Sequence, residues 1–173
     1  MFTHYFVGCM VFFAFGNMFG WNTTSLYLIV GSVMGALPDL LSLIISKSRI
    51  NKWSHLHRDN FTHSVFLSIS VFCLVIFFDF KVAIVVGTTL LTHPILDSFG
   101  IGWGVKLFYP LSDLQIKLFH KKGKVAYTQQ EIDSEVEKFG NENWFHDLFL
   151  TFNSTAIIEW GSLLANILVI ILN

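Results

Sequence analysis

Val82 to Phe99 reads VAIVVGTTLLTHPILDSF. The stretch is close to the roughly 20 mainly apolar residues that cross a bilayer as a helix. It nevertheless carries His93 and Asp97 near its end, and ionisable groups inside a membrane span are costly and usually functional. Four positions apart, the two project from one helical face toward one centre. This segment therefore sets both questions the chain poses: how it sits in a membrane, and what its intramembrane polar groups are for.

Four comparable segments surround it, at Thr3 to Gly20, Ser25 to Ile45, Thr62 to Phe78 and Ser154 to Leu172. The expected fold is all-α: a polytopic membrane helix bundle of about five transmembrane helices, forming a single membrane domain over residues 1–173. Composition agrees. The chain is 53% hydrophobic, with 19 Phe and a mean hydropathy of +0.60. Only 13% of it is charged, against about 25% in a soluble domain. No Lys or Arg precedes the first apolar run, as a cleaved signal peptide would require, so the first segment is expected to be a retained helix. Cys9 and Cys73 lie inside apolar runs and read as packing residues.

Basic residues set the orientation. With five spans, ten of the eleven Lys and Arg share one side, and Lys81 alone faces the other. The expectation is an integral plasma (inner) membrane protein with a cytoplasmic N-terminus and an exported C-terminus. The long cytoplasmic loop 100–153 holds an aromatic stretch, Trp103 to Pro110, that reads as interfacial or re-entrant. It also holds Thr128-Gln-Gln-Glu131, a capping box. Ile132, Val136 and Phe139 follow at helical spacing and Gly140 at a natural stop, which predicts a short amphipathic helix.

With that topology, every intramembrane ionisable group falls at one membrane face. His4 opens helix one, Asp39 follows Pro38 in helix two, and His57 and His63 flank the start of helix three. His93 and Asp97 end helix four, and Glu159 lies just inside helix five. Imidazoles and carboxylates without thiolate suit a divalent metal, zinc first, with manganese, iron or nickel as alternatives. Pro38 cannot donate to the carbonyl of Met34, which loosens the helix beside Asp39 and can leave a backbone oxygen free. Arg58 can clamp a phosphate through its planar fork. Glu159 is a possible additional ligand, or a partner for Lys or His.

Other classes find little support. There is no Gly-x-Ser-x-Gly, Walker or His-Glu-x-x-His motif. Nucleic-acid binding would want a larger basic surface than Lys121-Lys122-Gly-Lys124. Gly31-x-x-x-Gly35 reads as a helix-packing motif. The Asn-x-Thr triplets at Asn22, Asn60 and Asn153 arise readily by chance, and His120 and His146 read as solvated.

The order Thr3-His4, Gly35-Ala-Leu-Pro38-Asp39, His57-Arg58-Asp-Asn-Phe-Thr62-His63-Ser64, Thr92-His93-Pro-Ile-Leu-Asp97, Gly102-x-Gly104 and Tyr109-Pro110 resembles the YdjM-like family of inner-membrane metal-dependent hydrolases, from the N-terminus to about Val125. The family is distantly similar to zinc-dependent phospholipase C and the P1-type nucleases. The resemblance implies a helical His/Asp metal site acting on phosphoesters. Family members often carry a second acid shortly after the Pro-Asp pair, where this chain has Leu41.

The expectation is thus a metal-dependent hydrolase of lipid or lipid-linked phosphoesters, with no nucleic-acid partner. His4, Asp39, His57, His63, His93 and Asp97 would be its metal ligands, and Asp39, Arg58 and His63 its catalytic residues. The alternatives are an ion carrier, or a structural subunit in which the cluster braces helices and residues Leu111 to Asn153 dock a partner.

Overall fold

The computed structural model describes residues 2–46, 58–99, 103–118, 123–143 and 145–173. In chain order these form α1 (Phe2–Phe19), α2 (Ser25–Ser46), a 3-10 turn (Phe61–His63), α3 (Val65–Val75) and α4 (Phe80–Phe99). A two-stranded hairpin of β1 (Gln115–Ile116) and β2 (Ala126–Tyr127) follows, then α5 (Gln129–Phe139), a π-helical turn (His146–Leu150) and α6 (Ser154–Leu172). Four helices, α1, α2, α4 and α6, are long and apolar enough to cross a membrane. Their ends lie within two residues of those expected from hydropathy.

The third apolar segment differs. Its helix has 11 residues, about 17 Å at 1.5 Å per residue, short of a ~30 Å hydrocarbon core. The reason is the polar turn before it. Residues 58–64 descend to the level of Asp39 and His93, six or seven positions inside the ends of α2 and α4, so α3 begins inside the bundle. Irregular backbone at such depth survives only where protein satisfies it. Here Asn60 accepts from the Thr62 amide at 2.9 Å, and Leu107 O accepts from Val65 N at 2.9 Å.

α1 packs against α2, α4 and α6, and α2 and α3 each pack on α4. The α1–α2 crossing is set by glycine. A Cβ on Gly8 would stand 2.3 Å from Gly31 O and 2.7 Å from Gly35 Cα, and one on Gly35 would stand 2.3 Å from His4 O. The Gly31-x-x-x-Gly35 pair therefore works as expected, letting two backbones touch. Farther along, Ser32 Oγ lies 3.1 Å from Asn166 Oδ1, which ties α2 to α6.

Outside the four long helices, residues 103–118 and 123–139 meet the bundle end that holds Asp97. Leu118 N donates to Ser98 O at 2.8 Å and Ile116 pairs with Val105. The expected capping box closes α5: Thr128 and Glu131 each accept from the other's backbone amide. Ile132 and Val136 bury against Tyr127 and Trp103, while Phe139 stays exposed. The hairpin β1–β2 was not visible in the sequence. Two of the Asn-x-Thr triplets serve as local caps, since Asn60 caps the 3-10 turn and Asn153 caps α6.

Candidate metal centre

Asp39, His63, His93 and Asp97 each present one ligand atom, all within 4.8 Å of one another. Three of the four are buried, and Asp39 keeps 16% of its side chain exposed. His63 Nε2 lies 3.2 Å from Asp39 Oδ1 and 3.7 Å from Asp97 Oδ2. His93 Nε2 lies 3.4 Å and 3.8 Å from the same two atoms. The two Nε2 atoms are 3.2 Å apart.

The surrounding hydrogen bonds decide where the imidazole protons sit. Gly35 O can only accept, so His93 Nδ1–H donates to it, at 2.7 Å. Asn60 Oδ1 also can only accept, so the single proton of the Thr62 hydroxyl goes to Asn60. Thr62 Oγ1 is then left to accept from His63 Nδ1–H, at 3.0 Å. Both Nε2 atoms are therefore bare in the neutral rings. Two nitrogen lone pairs and two carboxylate oxygens face one another with no proton between them.

Such an arrangement suits a cation. Four tetrahedral ligands bonded at ~2.0–2.2 Å stand roughly 3.3–3.6 Å apart, close to the separations found here. Locking each ligand imidazole through its other nitrogen is the usual support of a metal site. The four residues fit a divalent ion and can hold one.

The remaining expected site residues fall into distinct places. His4 stands beside the group: its ring stacks on His93 at 3.9 Å between centroids, and its Nε2 lies 3.1 Å from Asp97 Oδ1. Its Nδ1 has no hydrogen-bond partner among the described residues. A bare nitrogen tolerates that better than a bare N–H, so the proton belongs on Nε2 and is donated to Asp97. Arg58 Nε lies 3.1 Å from Asp97 Oδ2 as an ion pair, and its Nη1 reaches Trp103 O at 3.5 Å. His57 lies outside the described residues. Glu159 does not join the cluster. Its Oε2 accepts from Thr3 N at 3.1 Å, satisfying an amide that the first turn of α1 leaves unpaired. The backbone oxygen that meets the cluster is not that of Met34, which Pro38 was expected to free, but the next one, Gly35 O, and α2 runs unbroken through Pro38. His146 is exposed against Asp147 at 3.0 Å, as a solvated histidine should be.

Three contributors escaped sequence reading. Thr62 and Asn60 orient His63; the sequence offered them only as parts of the His57-to-Ser64 motif and of an Asn-x-Thr triplet, with no role assigned. Lys117 is the third. It is 7% exposed and follows β1 directly. Burial pulls its pKa down to about 8, with Arg58 pushing the same way and Asp97 opposing. A lone Lys in a polar loop gives no hint of such burial.

An all-helical bundle of membrane-crossing length, with a His/Asp group buried at one end, defines an integral membrane protein with a candidate metal site. The chain belongs to the family described as YdjM inner membrane protein, which matches residues 1–172. That match covers the C-terminal part beyond Val125, where the motifs alone gave out. No curated protein and no solved structure matches it.

Proposed function

We propose that this protein is a divalent-metal-dependent hydrolase of the inner membrane, opening to the cytoplasm with its N-terminus on that side. Its substrate would be a phosphoester of a lipid or lipid-linked molecule, and its ion zinc, the imidazole and carboxylate donors also suiting manganese, iron or nickel. The observation that carries this reading is the meeting of two bare Nε2 atoms with two carboxylates at 3.2–3.8 Å. A site six or seven residues inside the ends of α2 and α4, at the end of the bundle that the charge pattern assigns to the cytoplasm, suits an anionic lipid head reaching in from that face.

Asp39, His63, His93 and Asp97 would hold the ion, which when bound supplies Lewis acidity and a water acidified toward a pKa of about 7. Asp39, the most exposed of the four, would take the proton from an attacking water. As the new P–O bond forms and the ester P–O bond breaks, the departing alcohol recovers a proton from solvent. Arg58 offers its guanidinium to the phosphoryl oxygens. His4 keeps Asp97 oriented from the far side.

The first test is metal content after purification in detergent. About one divalent ion per chain is expected, falling to near zero in His93→Ala and Asp97→Asn. An unoccupied wild-type protein that also fails to take up added zinc removes the reading. Release of phosphate or alcohol from short-chain lipid phosphates by the zinc-loaded protein tests the hydrolase itself. A carrier is the second reading. A pathway should continue across the bundle, yet at the opposite end Asp79 caps α4 at Val82 N and Lys81 rests over the Phe19 ring. Zinc flux in proteoliposomes without ester turnover would favour the carrier.

A further inference from the structure

α3 leaves part of the bilayer on its side of the bundle unspanned. Its 11 residues cover about 17 Å of a ~30 Å hydrocarbon core. The deficit lies at the end that holds the His/Asp group, because α3 starts just after His63, whose Nε2 stands 3.2 Å from that of His93. The residues that come to this place are those of a turn far along the chain. Leu107 O accepts from Val65 N, the first amide of α3, at 2.9 Å.

The turn around that bond has the character of chain that meets lipid. Residues 107–112, Leu-Phe-Tyr-Pro-Leu-Ser, carry no charge, and the flanking Lys106 and Asp113 face each other at 3.5 Å. The amides of Leu107, Tyr109, Leu111 and Ser112 donate to carbonyls of Val105, Lys106 and Phe108 within the same turn, at 2.8–3.1 Å. Pro110 has no amide hydrogen to satisfy. Irregular backbone near hydrocarbon survives only when its polar groups are answered in this way. The apolar side chains are not answered by the chain: Leu111 is 80% exposed and Phe108 47%. The surface of α3 beside them faces lipid already, with Ile69 51% exposed. That continuity, and the depth fixed by the Val65–Leu107 bond, select lipid as the occupant.

We propose that residues 107–112 form a lipid-inserted turn, with Phe108 and Leu111 seated among the first acyl carbons of the leaflet at the site's end of the bundle. The turn completes, on the side of α3, the span that the short helix leaves open. The proposal stands apart from the metal reading, since no ligand residue takes part in it.

The test is spin labelling of single cysteines in Cys73→Ala protein reconstituted into phosphatidylcholine vesicles. Cys9 is fully buried and is left in place. Labels are placed by Phe108→Cys and Leu111→Cys, by Ser134→Cys on the exposed side of α5, and by Leu168→Cys on the exposed side of α6. Collision with oxygen, which concentrates among acyl chains, is compared with collision with a neutral nickel chelate, which stays in water. The labels at 108 and 111 should favour oxygen, as the one at 168 does, at a depth of about 5–10 Å into the headgroup–acyl boundary. The label at 134 should favour the chelate. Chelate access at 111 equal to that at 134 overturns the proposal, because it leaves the turn in water. Exclusion of both reagents overturns it too, by placing a protein, such as a second copy of the chain, over the turn. If Leu111→Cys does not fold, the label at 108 carries the same decision.

Discussion

The two ends of the bundle are built from the same helices and behave as different materials. At one end, residues from α1, α2, α4 and the turn before α3 interlock through directional polar contacts: His4 on Asp97, His63 on Thr62, His93 on Gly35, Arg58 on Asp97. At the other, Asp79 and Lys81 serve local caps and ring contacts, and Phe77 and Phe78 are 86% and 90% exposed. Phenylalanines so exposed are at home against lipid. Buried imidazoles and carboxylates are not at home anywhere unless each answers another. The difference is one of charge: apart from neutral pairs such as Ser32 with Asn166, the buried polar groups that can ionise are collected where they answer one another, in a group that could hold a metal ion.

The comparison breaks most sharply at Asp97. Asp97→Ala leaves Arg58 and His4 without the carboxylate they share. Removing one partner of a buried ion pair typically costs about 3–5 kcal/mol. The expected outcome is a large drop in melting temperature in detergent, partly restored by adding Arg58→Met. A melting temperature near wild type would mean that the polar end is not interlocked. Next comes the glycine crossing. Gly8→Ala puts a Cβ 2.3 Å from Gly31 O, and overpacking of this kind costs about 1–3 kcal/mol. Because Gly35, on the same contact, carries the acceptor for His93, zinc affinity should fall along with stability. Loss of stability without loss of zinc affinity would uncouple the crossing from the site.

Hydropathy made the long helices legible, and helical phasing made the His/Asp group legible. Alternating chain direction turns a sequence position near a helix start or end into a shared depth. What hydropathy could not show is whether backbone groups are satisfied. Residues 62–64 looked like the start of a spanning helix because Thr and Ser are tolerated there. The chain instead spends them on a turn that brings His63 to the level of His93. Glu159 sat at the right depth to look like a ligand, but its distance from the group is set by helix rotation and by the nearest unpaired amide, Thr3 N. Lys117 and the β1–β2 pairing were illegible because they depend on contacts between the loop and the bundle, not on any local pattern.

Smaller effects sharpen the contrast between binding and bracing. Thr62→Val removes the acceptor that fixes the His63 ring, and loss of such outer support typically lowers metal affinity 10–100-fold. Competition with a chelator of known affinity should register that loss while the melting temperature of the zinc-free protein stays near wild type. Asn166→Leu removes the mid-bundle partner of Ser32. Interhelical hydrogen bonds in membranes average about 0.6 kcal/mol, so a shift of a degree or two is expected with zinc affinity unchanged. A fall in zinc affinity there would mean that the bundle transmits strain to the site over its length.

The smallest effect lies outside the long helices. Glu131 has its pKa lowered to about 2 by the Lys124 ammonium first and by the Thr128 amide next, against about 4.5 in an unfolded chain. A carboxylate whose folded pKa is depressed stabilises above its unfolded value, and it loses that contribution as pH falls toward the folded one. The capping box should therefore weaken between about pH 4.5 and 2, by little, because the pair is exposed and screened. Carbon chemical shifts along α5 should show its first turn fraying over that range in wild type, and already at neutral pH in Glu131→Gln.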